Sequence, residues 1–324
     1  MKRVAILAGI LGLTLFGVLI AYSGAGDVAQ GVAAVGWAIL IVVAIRAVIV
    51  IGAGISWKLL FPAGAGLPYA VAIGLRFIRE GINVLLPVAT IGGDVVGARL
   101  ATFWRPDGAM AGATTIADVA LQAATQAAFA LLGIGLLLWL NGDSPLLRYA
   151  AGGLLVAAAL IGAFFAVQAK LGAELVAWLL RRLGQEGALA ALAERLWGAL
   201  RAIYARPGPV ARSSLLHMVV WIIGAFEVYV ALHAMGYPVS FAEAVVIESL
   251  GQAVRGAAFV VPGGIGVQEG GFIALCALFA VPAGPALALS LVKRVADLVL
   301  GLPALLAWQV IEGRRALRGA EARG

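Results

Sequence analysis

Apolar positions fill this chain in long uninterrupted runs, and polar positions collect between them. The clearest runs cover 4–22, 35–53, 113–140, 148–168, 213–236 and 286–309. A helix needs about 20 apolar residues to cross the hydrocarbon core of a bilayer, and each run is close to that length. Two further stretches, 63–98 and 239–283, are apolar but interrupted by Gly, Pro and charge. The runs are rich in Ala, Leu and Gly and lack the period-2 alternation of barrel strands. The pattern therefore predicts an all-α, polytopic membrane protein of about eight membrane segments, two of them broken or re-entrant.

Composition agrees with the pattern. Of 324 residues, 63% are hydrophobic and 12% charged, and the mean hydropathy is +1.05. A soluble domain is about a quarter charged, so a water-facing surface cannot be assembled here. One integral membrane domain, 1–324, is expected. Within it, 169–212 reads as a cytoplasmic amphipathic loop: Leu189, Leu192, Leu196, Leu200 and Ile203 recur at helical spacing beside Trp197 and Tyr204, with Arg195 and Arg201 among the polar positions. A helix on the leaflet surface and a packed linker helix both fit that pattern.

The net charge of +7 is explained by topology, because Lys and Arg gather in cytoplasmic loops. The N-terminus (Lys2, Arg3), the 169–212 loop and the tail with Arg314, Arg315 and Arg318 are the basic places. Both termini and that loop are therefore expected on the cytoplasmic side of a bacterial-type inner membrane. The apolar run after Lys2-Arg3 exceeds a signal-peptide core, which favours a retained first helix over cleavage near Ser23-Gly24-Ala25. Nucleic-acid binding is not expected, since no basic stretch carries interleaved stacking aromatics. Cys276 is the single cysteine, and His217 and His233 have no metal-ligand spacing, so neither a metal nor a cofactor is expected.

The assigned sides make 63–98 enter and leave on the cytoplasmic face, and 239–283 on the outer face. The two stretches also resemble each other. Pro87 is followed by Gly92-Gly93-Asp94, and Pro262-Gly263-Gly264 by Glu269-Gly270-Gly271, so an acid lies seven residues after each proline. Upstream lie Glu80 with Asn83 and Glu248 with Gln252. Two broken segments entering from opposite faces are the mark of an inverted repeat.

Ionisable side chains at membrane depth are costly unless paired or hydrated, so they mark function or registry. Arg76, Glu80 and Asn83 form one polar stripe; Glu248, Gln252 and Arg255 form another. Lys293, Arg294 and Asp297 lie within the last run, Asp118, Gln122 and Gln126 on one face of 113–140, and Arg46 and Glu227 near the centres of their own runs. For Arg46 and Glu227 the simpler reading is a buried ion pair. In the broken stretches, charge coincides with helix breaks at Pro87, Gly92, Gly93, Pro262, Gly263 and Gly264, where freed N–H groups could receive an anion. Asp94 and Glu269 could exchange protons or hold a cation, and spacing does not separate these. There is no HExxH, no GxSxG and no P-loop lysine.

The segment Ile82 to Pro87 with Gly92-Gly93-Asp94, together with Pro262-Gly263-Gly264-Ile265-Gly266-Val267-Gln268-Glu269-Gly270-Gly271, resembles the lysylphosphatidylglycerol synthase transmembrane-domain family, and within it the hopanoid-biosynthesis-associated, HpnL-like subgroup. The resemblance implies a flippase-like membrane domain that moves or binds a polar lipid, a hopanoid or an anionic phospholipid, between leaflets. The aminoacyl-transferase activity of the full-length synthases resides in a separate soluble domain, which is not expected within 1–324, so that activity is not carried over. On this reading Arg76, Arg255, Lys293 and Arg294 attract a headgroup, while Glu80, Asp94, Glu248 and Glu269 shape the cavity or exchange protons. Two other classes stay open: an intramembrane enzyme acting on a lipid headgroup through Asp94 and Glu269, and a non-catalytic scaffold for lipid-biosynthesis enzymes. The small residues of the helices would also permit a homodimer.

Overall fold

The computed structural model describes residues 25–86, 91–141, 187–257 and 266–321, and every element among them is helical. The expected runs 4–22 and 148–168 lie outside these residues, as do Pro87, Pro262, Gly263 and Gly264. In chain order the helices are α1 (Ala25–Val35), α2 (Ala38–Leu60), α3 (Tyr69–Leu85), α4 (Gly92–Ala101), α5 (Gly108–Asn141), α6 (Ala188–Tyr204), α7 (Pro207–Ala234), α8 (Phe241–Ala257), α9 (Val267–Ala277) and α10 (Ala283–Glu321).

Four helices, α2, α5, α7 and α10, are long and apolar enough to cross a membrane. Each differs in extent from its hydropathy run. Pro207 starts α7 six residues before the run at 213, because proline suits the first helical turn and Arg212 and Ser213 continue it. Helix α10 runs past residue 309 through Arg314 and Arg315, since a helix does not stop where its side chains become polar. Conversely, α1 and α2 are separated at Gly36, whose φ of +50° only glycine adopts readily. The outer side of α10 carries Leu302, Leu306 and Val310, and Leu306 is 68% exposed. An apolar residue that exposed along a spanning helix faces lipid.

The described helices fall into two halves of the same order. A long helix, a 17-residue helix, a short one and a second long helix appear as α2–α5 and again as α7–α10, with the short ones 10 and 11 residues long. The two leading helices, α2 and α7, pack together in opposite directions, because their contacts run Arg46–Glu227, Gly52–Val220, Ser56–Ser213. A Cβ on Gly52 would sit 2.6 Å from a Val220 methyl, so glycine permits the approach. The packing is reciprocal: α3 lies on α10 and α8 lies on α5.

Each middle pair folds back on itself. Asn83 and Arg79 of α3 meet Gly93 and Gly97 of α4 in descending order, and Gly251 and Val254 of α8 meet Phe272 and Gly271 of α9. At one contact the large and small partners are exchanged between the halves. The Arg79 side chain of α3 fills the space over Gly97, with its backbone carbonyl against Gly93, whereas Phe272 of α9 fills the space over Gly251.

Candidate functional site

The repeat places charge at matching positions with reversed sign. Counted from Tyr69 and Phe241, Arg76 and Glu248 occupy the same position in α3 and α8; counted from Gly108 and Ala283, so do Asp118 and Lys293 in α5 and α10. Arg76 binds Asp118 at 3.2 Å, and Glu248 binds Lys293 at 2.8 Å. Asp94 and Glu269 are likewise the third residues of α4 and α9.

In the first half, Asp118 is the hub. It is fully buried, and its Oδ2 accepts from Arg76 and lies 2.9 Å from Arg79 Nη2. Its Oδ1 lies 3.1 Å from Nε2 of His217, which reaches in from α7. Arg79 also donates twice to Asp94, at 2.9 and 2.7 Å, and lies over the Trp57 ring. Asn83 donates to Asp94 and accepts from the Gly93 N–H at 2.7 Å, which supplies the start of α4 with a side-chain partner. Arg76 further reaches Glu80 and Gln122, each at 3.4 Å. Two guanidinium groups thus share one buried carboxylate.

A second network lies between the halves. Glu227 of α7, fully buried, accepts from Arg46 and from Lys293, each at 2.7 Å. Lys293 also donates to Glu248, whose other oxygen accepts from Gln252 at 2.8 Å. Asp297 lies 3.6 Å from Arg46. The third network closes the start of α9. Glu269 accepts from the Gly266 N–H at 2.6 Å, reaching back to the start of α9, and its other oxygen accepts from Ser290 and Arg294 of α10.

Most of the first network, with Arg46 and Gln252 of the second, borders one open space. A cavity of about 420 Å³ lies between α2, α3, α4, α5, α7 and α8. Arg76, Glu80, Asn83, Asp94, Gln252 and Arg255 line it, as do Arg46, Gln122, Gln126, His217 and Trp221. Six of the sequence-derived site residues therefore converge on one volume. Glu248 and Lys293 lie behind it in the second network, and Asp297 faces a neighbouring crevice with Arg46. Glu269 and Arg294 belong to the α9–α10 contact and are not in the cavity wall. Gly92 and Gly93 begin α4, so the break precedes them. Arg255 lines the cavity with no ion-pair partner among the described residues. Among the same residues, no group of three or more His, Cys, Asp or Glu side chains could hold a metal.

Arg79 and His217 are absent from the sequence-derived set. Arg79 had a signal in the Gly93–Gly97 spacing, since small residues four apart make a groove for something large. His217 had none, because its partner Asp118 lies on another helix.

No curated protein and no solved structure matches the chain. The sequence profile of the lysylphosphatidylglycerol synthase TM region matches residues 9–304, nearly the whole chain. The protein is thus a multi-pass membrane protein related to lipid synthesis or translocation, and it belongs to the lysylphosphatidylglycerol synthase transmembrane-region family.

Proposed function

We propose that the protein moves a polar lipid between leaflets by admitting its headgroup to the cavity between the two halves. The observation that carries this reading is a 420 Å³ volume lined by charged and amide side chains inside a bundle whose outer surface is apolar. Polar groups at that depth need protein or water as partners, and a headgroup supplies the same chemistry. Arg255 offers a guanidinium to a phosphate, and Asn83, Gln122 and Gln126 offer amides to esters and hydroxyls. A cation without a counter-charge among the described residues favours an anionic phospholipid over a neutral hopanoid. The apolar tails stay in the surrounding bilayer.

The helix lengths support two re-entrant pairs. At 1.5 Å per residue, α4 and α9 are roughly 15 Å long, about half the hydrocarbon thickness, and α3 and α8 roughly 25 Å. In this arrangement the ends bearing Lys58, Arg99, Arg105 and Arg206 face the cytoplasm, as do both termini, in a bacterial-type inner membrane. The intramembrane enzyme reading has less support. Asp94 lines the cavity, but Glu269 is fully buried against α10, so the two carboxylates do not face a common substrate.

The test is leaflet exchange of fluorescent phosphatidylglycerol in proteoliposomes. Wild-type protein accelerates exchange, and Arg255→Gln reduces it at least tenfold with unchanged folding. Exchange by Arg255→Gln at the wild-type rate would remove Arg255 from the headgroup site. No exchange by folded wild-type protein would overturn the translocation reading.

A further inference from the structure

His217 is fully buried, lines the cavity and has one ring nitrogen committed. Its Nε2 lies 3.1 Å from Asp118 Oδ1, and Asp118 carries no proton to give because its other oxygen receives two guanidinium groups. Nε2 is therefore the protonated nitrogen of the neutral ring, and Nδ1 keeps its lone pair. Nδ1 is buried and has no hydrogen-bond partner among the described residues. A buried acceptor left bare costs about 1–3 kcal/mol, which calls for an occupant during function.

We infer that His217 is the proton-binding residue of the transport site, taking a proton on Nδ1 when an anionic headgroup occupies the cavity and releasing it when the headgroup leaves. The inference rests on the translocation reading above and adds its coupling ion. The step balances simply: Nδ1 gains a proton from cavity water, the imidazole becomes imidazolium, and the Nε2–H stays on Asp118.

The charges facing the ring give the reason for coupling. From α5 comes Asp118 alone, already shared by Arg76 and Arg79 of α3. Across the cavity stand Arg46 of α2, paired with Glu227, and Arg255 of α8. The remaining acids of the wall are Glu80 and Asp94, each engaged by an arginine. An imidazolium here adds positive charge to a wall that already holds several arginines, and an incoming phosphate offsets it. Proton and anionic headgroup then bind more tightly together than apart, and the coupling is reciprocal. Their joint passage also carries no net charge, which lowers the electrostatic cost of crossing the bilayer.

The test measures protons directly. Detergent-solubilised protein in weak buffer near neutral pH is titrated with dihexanoyl-phosphatidylglycerol beside a pH indicator, with binding followed by calorimetry. Wild type takes up about one proton per lipid bound, and its affinity falls by up to about tenfold per pH unit, the limit for one linked proton. His217→Gln takes up none and binds independently of pH. His217→Lys, which carries a fixed charge, also binds without proton uptake and serves if the glutamine variant fails to fold. Lipid binding by wild type without proton uptake overturns the proton site alone. Undiminished uptake in a folded His217 variant also overturns it, and absence of lipid binding overturns the translocation reading together with it.

Discussion

Removing Lys293 should destabilise the protein more than removing any exposed charge. Its ammonium is 1% exposed and donates to Glu227 and Glu248 at 2.7 and 2.8 Å. In Lys293→Met, Glu227 keeps Arg46 at 2.7 Å, but among the described residues Glu248 keeps only the neutral amide of Gln252. Breaking a buried pair from one side leaves an uncompensated charge and costs about 3–5 kcal/mol. Because Glu227 stays paired, the cost falls chiefly on Glu248, and the lower end, about 3 kcal/mol, is expected. The double variant Glu248→Gln/Lys293→Met removes the orphaned charge and should recover more than half of the loss. The assay is thermal unfolding of purified protein in detergent, read by intrinsic fluorescence with size-exclusion as a control for aggregation. If Lys293→Met melts with wild type, or if the double variant is no more stable than the single one, the pairing does not support the fold as described.

Two further outcomes follow from packing and capping. In Gly93→Ala the new Cβ would fall 2.1 Å from the Arg79 carbonyl oxygen, so α4 must shift away from α3; a loss of about 1–3 kcal/mol is expected on thermal unfolding, with weakened lipid exchange. Asp107 caps α5 by accepting from the Met110 N–H at 2.8 Å, and that bond, helped by Arg195, holds its carboxyl below the ordinary value of 3.8. A depressed carboxyl stabilises the fold above its ordinary value and loses that contribution as pH falls through the depressed one. Asp107→Ala should therefore lower stability by about 1 kcal/mol at neutral pH, and the difference from wild type should shrink as the solution is acidified below pH 4.

The fold was legible where lipid imposes a length. The runs at 35–53, 113–140, 213–236 and 286–309 correspond to α2, α5, α7 and α10, because a spanning helix cannot be shorter than the hydrocarbon layer. The likeness of the two broken stretches was visible as two acids seven residues after two prolines, and Asp94 and Glu269 do occupy the same position in α4 and α9. The partners of those acids were not visible. Asp94 is held by Arg79 and Glu269 by Arg294, and nothing in the spacing assigns one cation to a neighbouring helix and the other to the closing helix. Reversed charge at matching positions also hides a repeat from comparison of residue types: Arg76 with Asp118 and Glu248 with Lys293 are one contact written with opposite signs. Lys293 shows the same limit differently. Its sequence marks it as a cation at membrane depth, but only packing reveals that two carboxylates enclose it and that it does not face the cavity.

The central claim is that a headgroup passes through the cavity between the halves. The most direct test fills that volume. Ala123 of α5 lies in the cavity wall, and Ala123→Trp places an indole in the 420 Å³ without removing any charged group. Leaflet exchange of fluorescent phosphatidylglycerol by reconstituted, folded Ala123→Trp should fall to the level of protein-free vesicles. Exchange at the wild-type rate with the cavity filled would contradict the account.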